Sequence, residues 1–338
     1  MQLPPIAATT VGSFPRPSWL AGVERSDAVF RLEGPALREA QDDATIVVLA
    51  EQEAVGLDLL TDGEQRRPNF INYFLAGLEG FDLSNRVAKV IRRRTDGETR
   101  QVPRVVGQVR RTGPVLVDDL RAAKAHTTLP VKMAVPGPMT VVDTTADETY
   151  GDETALAMDV AAALNAELRA LQAAGCDVIQ IDEPAMTRWH EKVQAYGQAA
   201  LNRVLEGITV PTVIHLCYGY PGHGGGQHEY EYPELLAMLM ETPIGGFSVE
   251  FARSDYDPAL LRGCGDRLVM YGCVDPGNTP PEPLDLVLGR VRAALEYVAP
   301  ERLWLAPDCG LMTISRDLAR AKTALLVQAT HEARRALA

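Results

Sequence analysis

The sequence predicts an α/β protein, a (β/α)8 TIM barrel with a β-hairpin inserted after its second strand. Short apolar runs alternate eight times with amphipathic helical segments, and no Gly-x-Gly-x-x-Gly motif follows the first run. The length of 338 residues also suits one such barrel, which uses about 250 residues or more. A doubly wound open sheet of eight strands is the alternative fold.

The predicted strands are aliphatic or β-branched runs that mostly end at a Pro, Gly or acidic residue, a composition typical of buried parallel strands. They are Ala7–Ser13, Leu57–Asp62, Val131–Val135, Val178–Ile181, Thr212–Cys217, Gly246–Phe251, Leu268–Val274 and Leu303–Ala306. Apolar positions three and four apart predict helices between them. The clearest are Ala36–Val55, Leu156–Ala174, Leu284–Val298 and Ile314–Leu337.

One stretch, residues 86–112, interrupts this alternation. Val87–Arg111 alternates with period two and contains the turn Thr95-Asp96-Gly97, so it predicts the inserted β-hairpin. Its basic cluster, Arg92 to Arg94, is interpreted as a solvated face. We expect residues 1–338 to form a single catalytic barrel domain that carries this insertion.

Charge and cysteine content narrow the function classes. Acidic residues outnumber basic ones, 45 to 33, which argues against nucleic acid or an anionic membrane as the main partner. Neither a signal segment at Met1–Thr10 nor a long apolar run is present, so we expect a cytoplasmic protein. Five cysteines, an odd number in a long chain, indicate free thiols or metal ligands rather than disulfides.

The strand ends carry a set of metal-ligating residues. His215 and Cys217 lie two apart on a strand and therefore share a face. Such a pair alone is more typical of a structural histidine and an inert thiol. However, Glu250 and Cys309 fall at the ends of other strands, and active sites of these barrels lie at that rim. One nitrogen, one oxygen and two sulfurs predict a tetrahedral Zn²⁺ site.

This donor set favours binding a substrate thiol as thiolate over hydrolysis. Glu250 is our candidate for the ligand that leaves when the substrate sulfur arrives. Two more acidic residues at a strand end, Asp182 and Glu183, are expected to bind a substrate ammonium together with Glu64. In the alternative interpretation, Asp182 and Glu183 are a buried carboxylate pair that accepts hydrogen bonds from the backbone amides of a loop. Gly12 and Ser13 offer N–H and hydroxyl groups to a carboxylate.

The remaining candidates are interpreted more simply. Three cysteines without partners at ligand spacing are expected to pack in the interior: Cys176, Cys264 and Cys273. His223 and His228 lie in or beside the glycine-rich run Gly222–Gly226 and are expected to be solvated. Asp275 lies near the rim with no predicted role.

Six ordered motifs, from about Ala7 to Ala329, resemble the C-terminal catalytic barrel of cobalamin-independent methionine synthase. They are Thr9-Thr10-Val11-Gly12-Ser13-Phe14-Pro15, Asp62-Gly63-Glu64, Gln180-Ile181-Asp182-Glu183-Pro184-Ala185, His215-x-Cys217, Ser248-Val249-Glu250-Phe251-Ala252-Arg253-Ser254-Asp255 and Pro307-Asp308-Cys309-Gly310-Leu311. The resemblance implies zinc on His215, Cys217, Glu250 and Cys309, and a homocysteine site that uses Ser13, Glu64 and Asp182. It is closest to the short, single-barrel form.

The resemblance does not extend to the methyl-donor half of the site. The long enzymes have a catalytic histidine after the seventh strand, whereas the matching segment here, Val274–Thr279, has none. The donor is expected to be methyltetrahydrofolate or a methylated corrinoid, possibly on a partner protein, and Lys132, Met133 and Met139 near the third strand are candidates to face it.

We therefore expect a zinc-dependent methyltransferase that converts homocysteine to methionine, with Glu64, Asp182 and Glu250 as catalytic residues. One alternative is another thiol alkyltransferase on the same barrel, such as an epoxyalkane–coenzyme M transferase. The acidic trio of Glu64, Asp182 and Glu183 argues against it, because it would repel a sulfonate. The other alternative is a non-catalytic corrinoid- or folate-binding partner protein.

Overall fold

Eight parallel strands form the centre of the structure. A computed structural model describes residues 3–22, 28–92, 98–218, 232–254 and 256–337. The barrel strands are β1 (Ala7–Ala8), β2 (Leu60–Thr61), β5 (Val131–Pro136), β7 (Val178–Asp182), β8 (Thr212–His215), β9 (Gly246–Glu250), β10 (Leu268–Val274) and β11 (Leu303–Pro307). They pair in the order β1-β11-β10-β9-β8-β7-β5-β2, and a parallel bridge between Thr9 and Leu59 joins the two ends. The predicted (β/α)8 barrel is thereby confirmed.

The first two strands are shorter than the sequence predicts. Beyond β1 and β2, side-chain hydrogen bonds replace backbone pairing between the two segments. The Thr9 hydroxyl donates to the carbonyl of Leu59 at 2.8 Å, and the Thr61 hydroxyl donates to the carbonyl of Gly12 at 2.8 Å. The backbone at Gly12 and Ser13 is thus held at the barrel mouth without being part of a strand.

Helices surround the barrel. They are α1 (Gly34–Val55), α2 (Phe70–Leu75), α3 (Val117–Lys124), α4 (Pro138–Asp143), α5 (Glu153–Ala173), α6 (His190–Lys192), α7 (Gln198–Leu205), α8 (Tyr232–Met240), α9 (Leu284–Leu295) and α10 (Arg316–Leu337). A π-helical turn, Val193–Gly197, links α6 to α7, and 3₁₀ turns occupy Pro258–Cys264 and Pro300–Arg302. The ends of α5 follow ordinary capping: Asp152 accepts from the N–H of Thr154, and Gly175 has a positive φ of 88°.

An antiparallel pair, β3 (Leu78–Arg92) and β4 (Glu98–Arg111), extends from the barrel after β2, and the short strand β6 (Ala146–Asp147) pairs with β4. The first arm begins earlier than the predicted residue 86. The Asp82 carboxylate accepts from the N–H groups of Ser84 and Asn85, and the resulting irregularity hides the period-two pattern at the start of this arm. The predicted turn at residues 95–97, with Arg93 and Arg94, lies outside the described residues.

The interior of the barrel holds a small apolar cluster that includes Val178, Val213 and Met270, and a larger apolar layer lies between the strands and the helices. Packing on both faces explains why the strands are continuous apolar runs. No helix in the described parts of the chain is long and apolar enough to cross a bilayer.

Candidate metal centre

The four predicted metal ligands come together at the barrel mouth. His215 ends β8 and Cys217 follows two residues later, Glu250 ends β9, and Cys309 lies two residues past β11. All four are buried, and one potential ligand atom from each lies within 4.8 Å of the others. The sulfurs of Cys217 and Cys309 are 3.4 Å apart. Two ligands of one ion, each with a bond of about 2.3 Å, span at most about 4.6 Å, so both sulfurs can reach the same ion.

The imidazole of His215 is oriented as a metal ligand would be. Its Nδ1 lies 2.9 Å from the hydroxyl oxygen of Ser248 on β9. Its Nε2 is buried and has no hydrogen-bond partner among the described residues. Metal-bound histidines commonly use one ring nitrogen for the metal and the other for such an orienting contact. The unpartnered nitrogen therefore fits a metal ion at this position.

The electrostatics of the four candidate ligands also favour a bound cation. The hydrogen bond to Cys217 and burial raise the pKa of Cys309 well above its usual range. Burial and the neighbouring Cys217 likewise raise the pKa of Glu250 well above its usual range. Three acidic groups crowded in a buried space repel one another when ionised, and a divalent cation removes that repulsion.

A carboxylate next to Cys309 positions the chain around the metal group. Asp308 accepts hydrogen bonds from the backbone N–H groups of Phe251 at 3.0 Å, Ala252 at 2.9 Å and Arg253 at 2.9 Å. These residues follow Glu250 directly, so Asp308 ties the end of β9 to the segment that carries Cys309. A side chain at Gly272 would prevent this, since a Cβ there would lie 2.3 Å from Asp308 Oδ1.

Tyr232, the first residue of α8, makes a second connection between segments that carry candidate ligands. Its hydroxyl donates to the carbonyl of Leu216 at 3.1 Å and accepts from the N–H of Glu250 at 2.9 Å. The sequence pattern points to no role for Tyr232 or Asp308. An acidic residue directly before a cysteine ligand was the available signal for Asp308, whereas nothing in the sequence pattern indicated Tyr232.

The predicted amino-acid site lies beside this group. Glu64 is only 4% exposed and has a left-handed backbone with φ of 56°. A Cβ on Gly12 would lie 2.9 Å from Glu64 Oε1, so glycine lets this carboxylate approach the segment that follows β1. Ser13 is buried there, and its carbonyl accepts from the N–H of Leu311 at 2.9 Å. The structure thus brings Gly12, Ser13 and Glu64 together.

Electrostatic coupling connects Glu64 to Asp182 at the end of β7. Burial raises the pKa of Glu64 to about 7; the positive charge of Arg67 lowers it, and Asp62 and Asp182 raise it further. Burial also raises the pKa of Asp182 to about 6, and His215 opposes this rise. Two carboxylates that favour protonation in the absence of a ligand form a suitable site for an ammonium group.

Glu183 occupies a different environment from Asp182. Its Oε1 accepts from the N–H of Met139 at 2.9 Å, and its Oε2 accepts from the N–H of Thr140 at 2.8 Å and from the Thr140 hydroxyl at 2.6 Å. These donors belong to the first turn of α4. The contacts favour the alternative named above, in which Glu183 caps backbone amides, over a role in binding substrate.

The other sequence candidates lie away from the metal group or outside the described residues. Burial raises the pKa of Cys176 and of Cys264 to about 12 and also raises that of Cys273, so these thiols suit packing rather than reactivity. Asp275 accepts from the N–H of Gly277 at 2.8 Å and so stabilises its own turn. Two of the candidates, His223 and His228, lie outside the described residues.

Comparison with known proteins adds independent evidence. The family model described as "Cobalamin-independent synthase, Catalytic domain" matches residues 6–332. The chain is 32% identical to the methionine synthase of Sulfurisphaera tokodaii, over 97% of this chain and 93% of that protein. It is also 32% identical to the methionine synthase of Saccharolobus solfataricus, over 99% of this chain and 97% of that protein.

Solved structures agree with this result. A B12-independent methionine synthase from Shewanella sp. W3-18-1, in complex with selenomethionine, superposes with a TM-score of 0.94 at 34% identity, covering 99% of each chain. A putative vitamin-B12 independent methionine synthase from Listeria monocytogenes shares the fold, with a TM-score of 0.75 at 21% identity over 98% of this chain and 99% of that one. The chain therefore belongs to the cobalamin-independent methionine synthase family, a family of methyltransferases.

Proposed function

We propose that this protein is a zinc-dependent methyltransferase that methylates homocysteine to methionine. The observation that carries the proposal is the group of His215, Cys217, Glu250 and Cys309, whose ligand atoms lie within 4.8 Å of one another beside two buried carboxylates. A thiol site next to an ammonium site suits an amino acid that carries a thiol.

Zinc is the metal we propose for this group. One imidazole nitrogen, one carboxylate oxygen and two sulfurs form a donor set that Zn²⁺ accepts in tetrahedral geometry. When bound, Zn²⁺ supplies a Lewis acid that keeps a substrate thiol ionised near neutral pH. Ser248, Asp308 and Tyr232 hold the ligand-bearing segments in place before any ion binds.

Around this group the protein binds and orients the amino-acid part of the substrate. We assign Glu64 and Asp182 to the ammonium of homocysteine and the Gly12–Ser13 segment to its carboxylate. Glu250 remains both a metal ligand and a candidate catalytic residue, and Glu183 is left out of the substrate site because its oxygens already accept from α4. Fixing both ends of the amino acid aims the sulfur at the incoming methyl group.

In the reaction, a sulfur–carbon bond forms while the bond between the methyl group and its carrier breaks. A folate carrier leaves through nitrogen and requires a proton, whereas a corrinoid carrier requires none. The chain offers no histidine in Val274–Thr279 to supply that proton. We therefore keep methyltetrahydrofolate and a methylated corrinoid as the two donors to be distinguished.

The test is a turnover assay with homocysteine and, in parallel, methyltetrahydrofolate or methylcobalamin, on protein whose metal content is measured by elemental analysis. We expect methionine with one of the donors and about one zinc per chain. Calorimetric titration compares homocysteine with coenzyme M, a thiol that carries a sulfonate and no ammonium. Tight binding of coenzyme M without binding of homocysteine, or turnover that does not depend on metal, would overturn the proposal.

A further inference from the structure

A lysine lies inside the barrel, beneath the proposed amino-acid site. Lys132 on β5 is 1% exposed. Its Nζ donates to the carbonyl of Val11 at 2.9 Å, to Oε1 of Gln180, and to the sulfur of Met270 at 3.6 Å. All three partners are acceptors, which is the pattern of an ammonium group. The charged end of Lys132 therefore points into the barrel, and its facing the methyl donor stays a prediction.

Burying a lysine in this place costs free energy, and apolar side chains fill much of the barrel interior. Burial lowers the pKa of Lys132 to about 7, while the negative charges of Asp182 and Glu64 raise it. An apolar residue of similar length would fill the same volume without this cost. The contacts of Lys132 indicate which function offsets this cost.

The lysine determines how the Gln180 amide is oriented. An ammonium group can only donate, so the carbonyl oxygen of the Gln180 side chain must face Lys132. The amide nitrogen of Gln180 then faces the other way and donates to Asp182 Oδ1 at 2.7 Å. Gln180 is fully buried, so bulk solvent does not reach its amide. Lys132 thus acts on Asp182 through Gln180. Among the contacts described, Lys132 makes no direct hydrogen bond to Asp182.

We infer that Lys132 and Gln180 are positioning residues that orient the Asp182 carboxylate toward the ammonium group of the substrate. This inference rests on the proposed function, in which Asp182 binds the amino group of homocysteine. The same lysine contacts Val11, next to the Gly12–Ser13 segment, and so joins the two halves of the amino-acid site across the barrel. Supporting contacts of this kind hold binding groups in a productive geometry before the ligand arrives.

The test uses two thiols that differ only in the amino group, homocysteine and 4-mercaptobutyrate, titrated calorimetrically into protein with matched zinc content. Lys132→Met removes the ammonium, and Gln180→Met removes the amide that donates to Asp182 without adding a charge. We expect each variant to reduce the preference for homocysteine over 4-mercaptobutyrate by about tenfold, the effect of losing a charge-assisted hydrogen bond. A purely structural role would weaken both ligands equally.

Lys322→Met is the matched control, because Lys322 is also a buried lysine but donates to the carbonyl of Asp275. It should leave the preference unchanged. If Lys132→Met does not fold, Gln180→Met still decides the question. An unchanged preference in a folded, zinc-loaded variant overturns the inference alone. A wild-type protein without any preference for homocysteine overturns the proposed function, and the inference with it.

Discussion

Replacing Glu64 with glutamine should stabilise the ligand-free protein at alkaline pH and weaken its binding of an amino acid. Glu64 is buried, and burial raises its pKa from the ordinary value of 4.5 to about 7. At a pH between these two values, the Glu64 carboxyl has lost its proton in the unfolded chain but keeps it in the folded chain. The carboxylate therefore destabilises the fold progressively as the pH rises through this window.

The magnitude follows from the difference between the two pKa values. Each tenfold change in proton affinity corresponds to about 1.4 kcal/mol, so the full penalty above pH 7 is on the order of 3 kcal/mol. Glutamine does not ionise and avoids the penalty. The increase in the free energy of unfolding should thus be close to zero below pH 4.5 and reach its maximum near pH 8.

Urea unfolding at pH 4, 6 and 8 measures this effect on wild-type and Glu64→Gln protein of equal metal content. Methionine is the ligand for the binding measurement, because it has the ammonium but no thiol proton. We expect Glu64→Gln to bind methionine at least tenfold more weakly at pH 8, since a charged partner is lost. A variant that is less stable at pH 8, or stabilised equally at pH 4, would refute the reasoning.

Four further substitutions probe the surroundings. Cys309→Ser should lose metal and turnover while keeping the fold, whereas Cys264→Ser should keep both; elemental analysis and circular dichroism distinguish them. Glu183→Gln cannot accept all three hydrogen bonds from α4, so urea unfolding at pH 4, where the burial-raised pKa of Glu183 does not affect stability, should show a loss of about 1–3 kcal/mol with unchanged methionine affinity. Tyr232→Phe leaves the N–H of Glu250 without its partner and should weaken zinc binding in a chelator competition; unchanged affinity would contradict the role assigned to this hydroxyl.

Much of the candidate site could be predicted from residue types. A buried parallel strand is recognisable as an apolar run, and the residue at its end is expected at the barrel mouth. His215, Cys217, Glu250 and Cys309 all meet this criterion, and the structure brings them together. The same rule could not separate Asp182 from Glu183, because adjacent residues at a strand end point in opposite directions.

The sequence by itself therefore determined the barrel, the positions of its strands along the chain and the chemistry of the four candidate ligands, since these depend on local periodicity and on side-chain type. Only the tertiary structure decided that Glu183 caps α4, that Tyr232 and Asp308 support the metal group, and that Lys132 points into the barrel. The physical reason is that these roles depend on which distant groups face a side chain. Val11 and Lys132, for example, are 121 positions apart in the chain and form a hydrogen bond only once the barrel has closed.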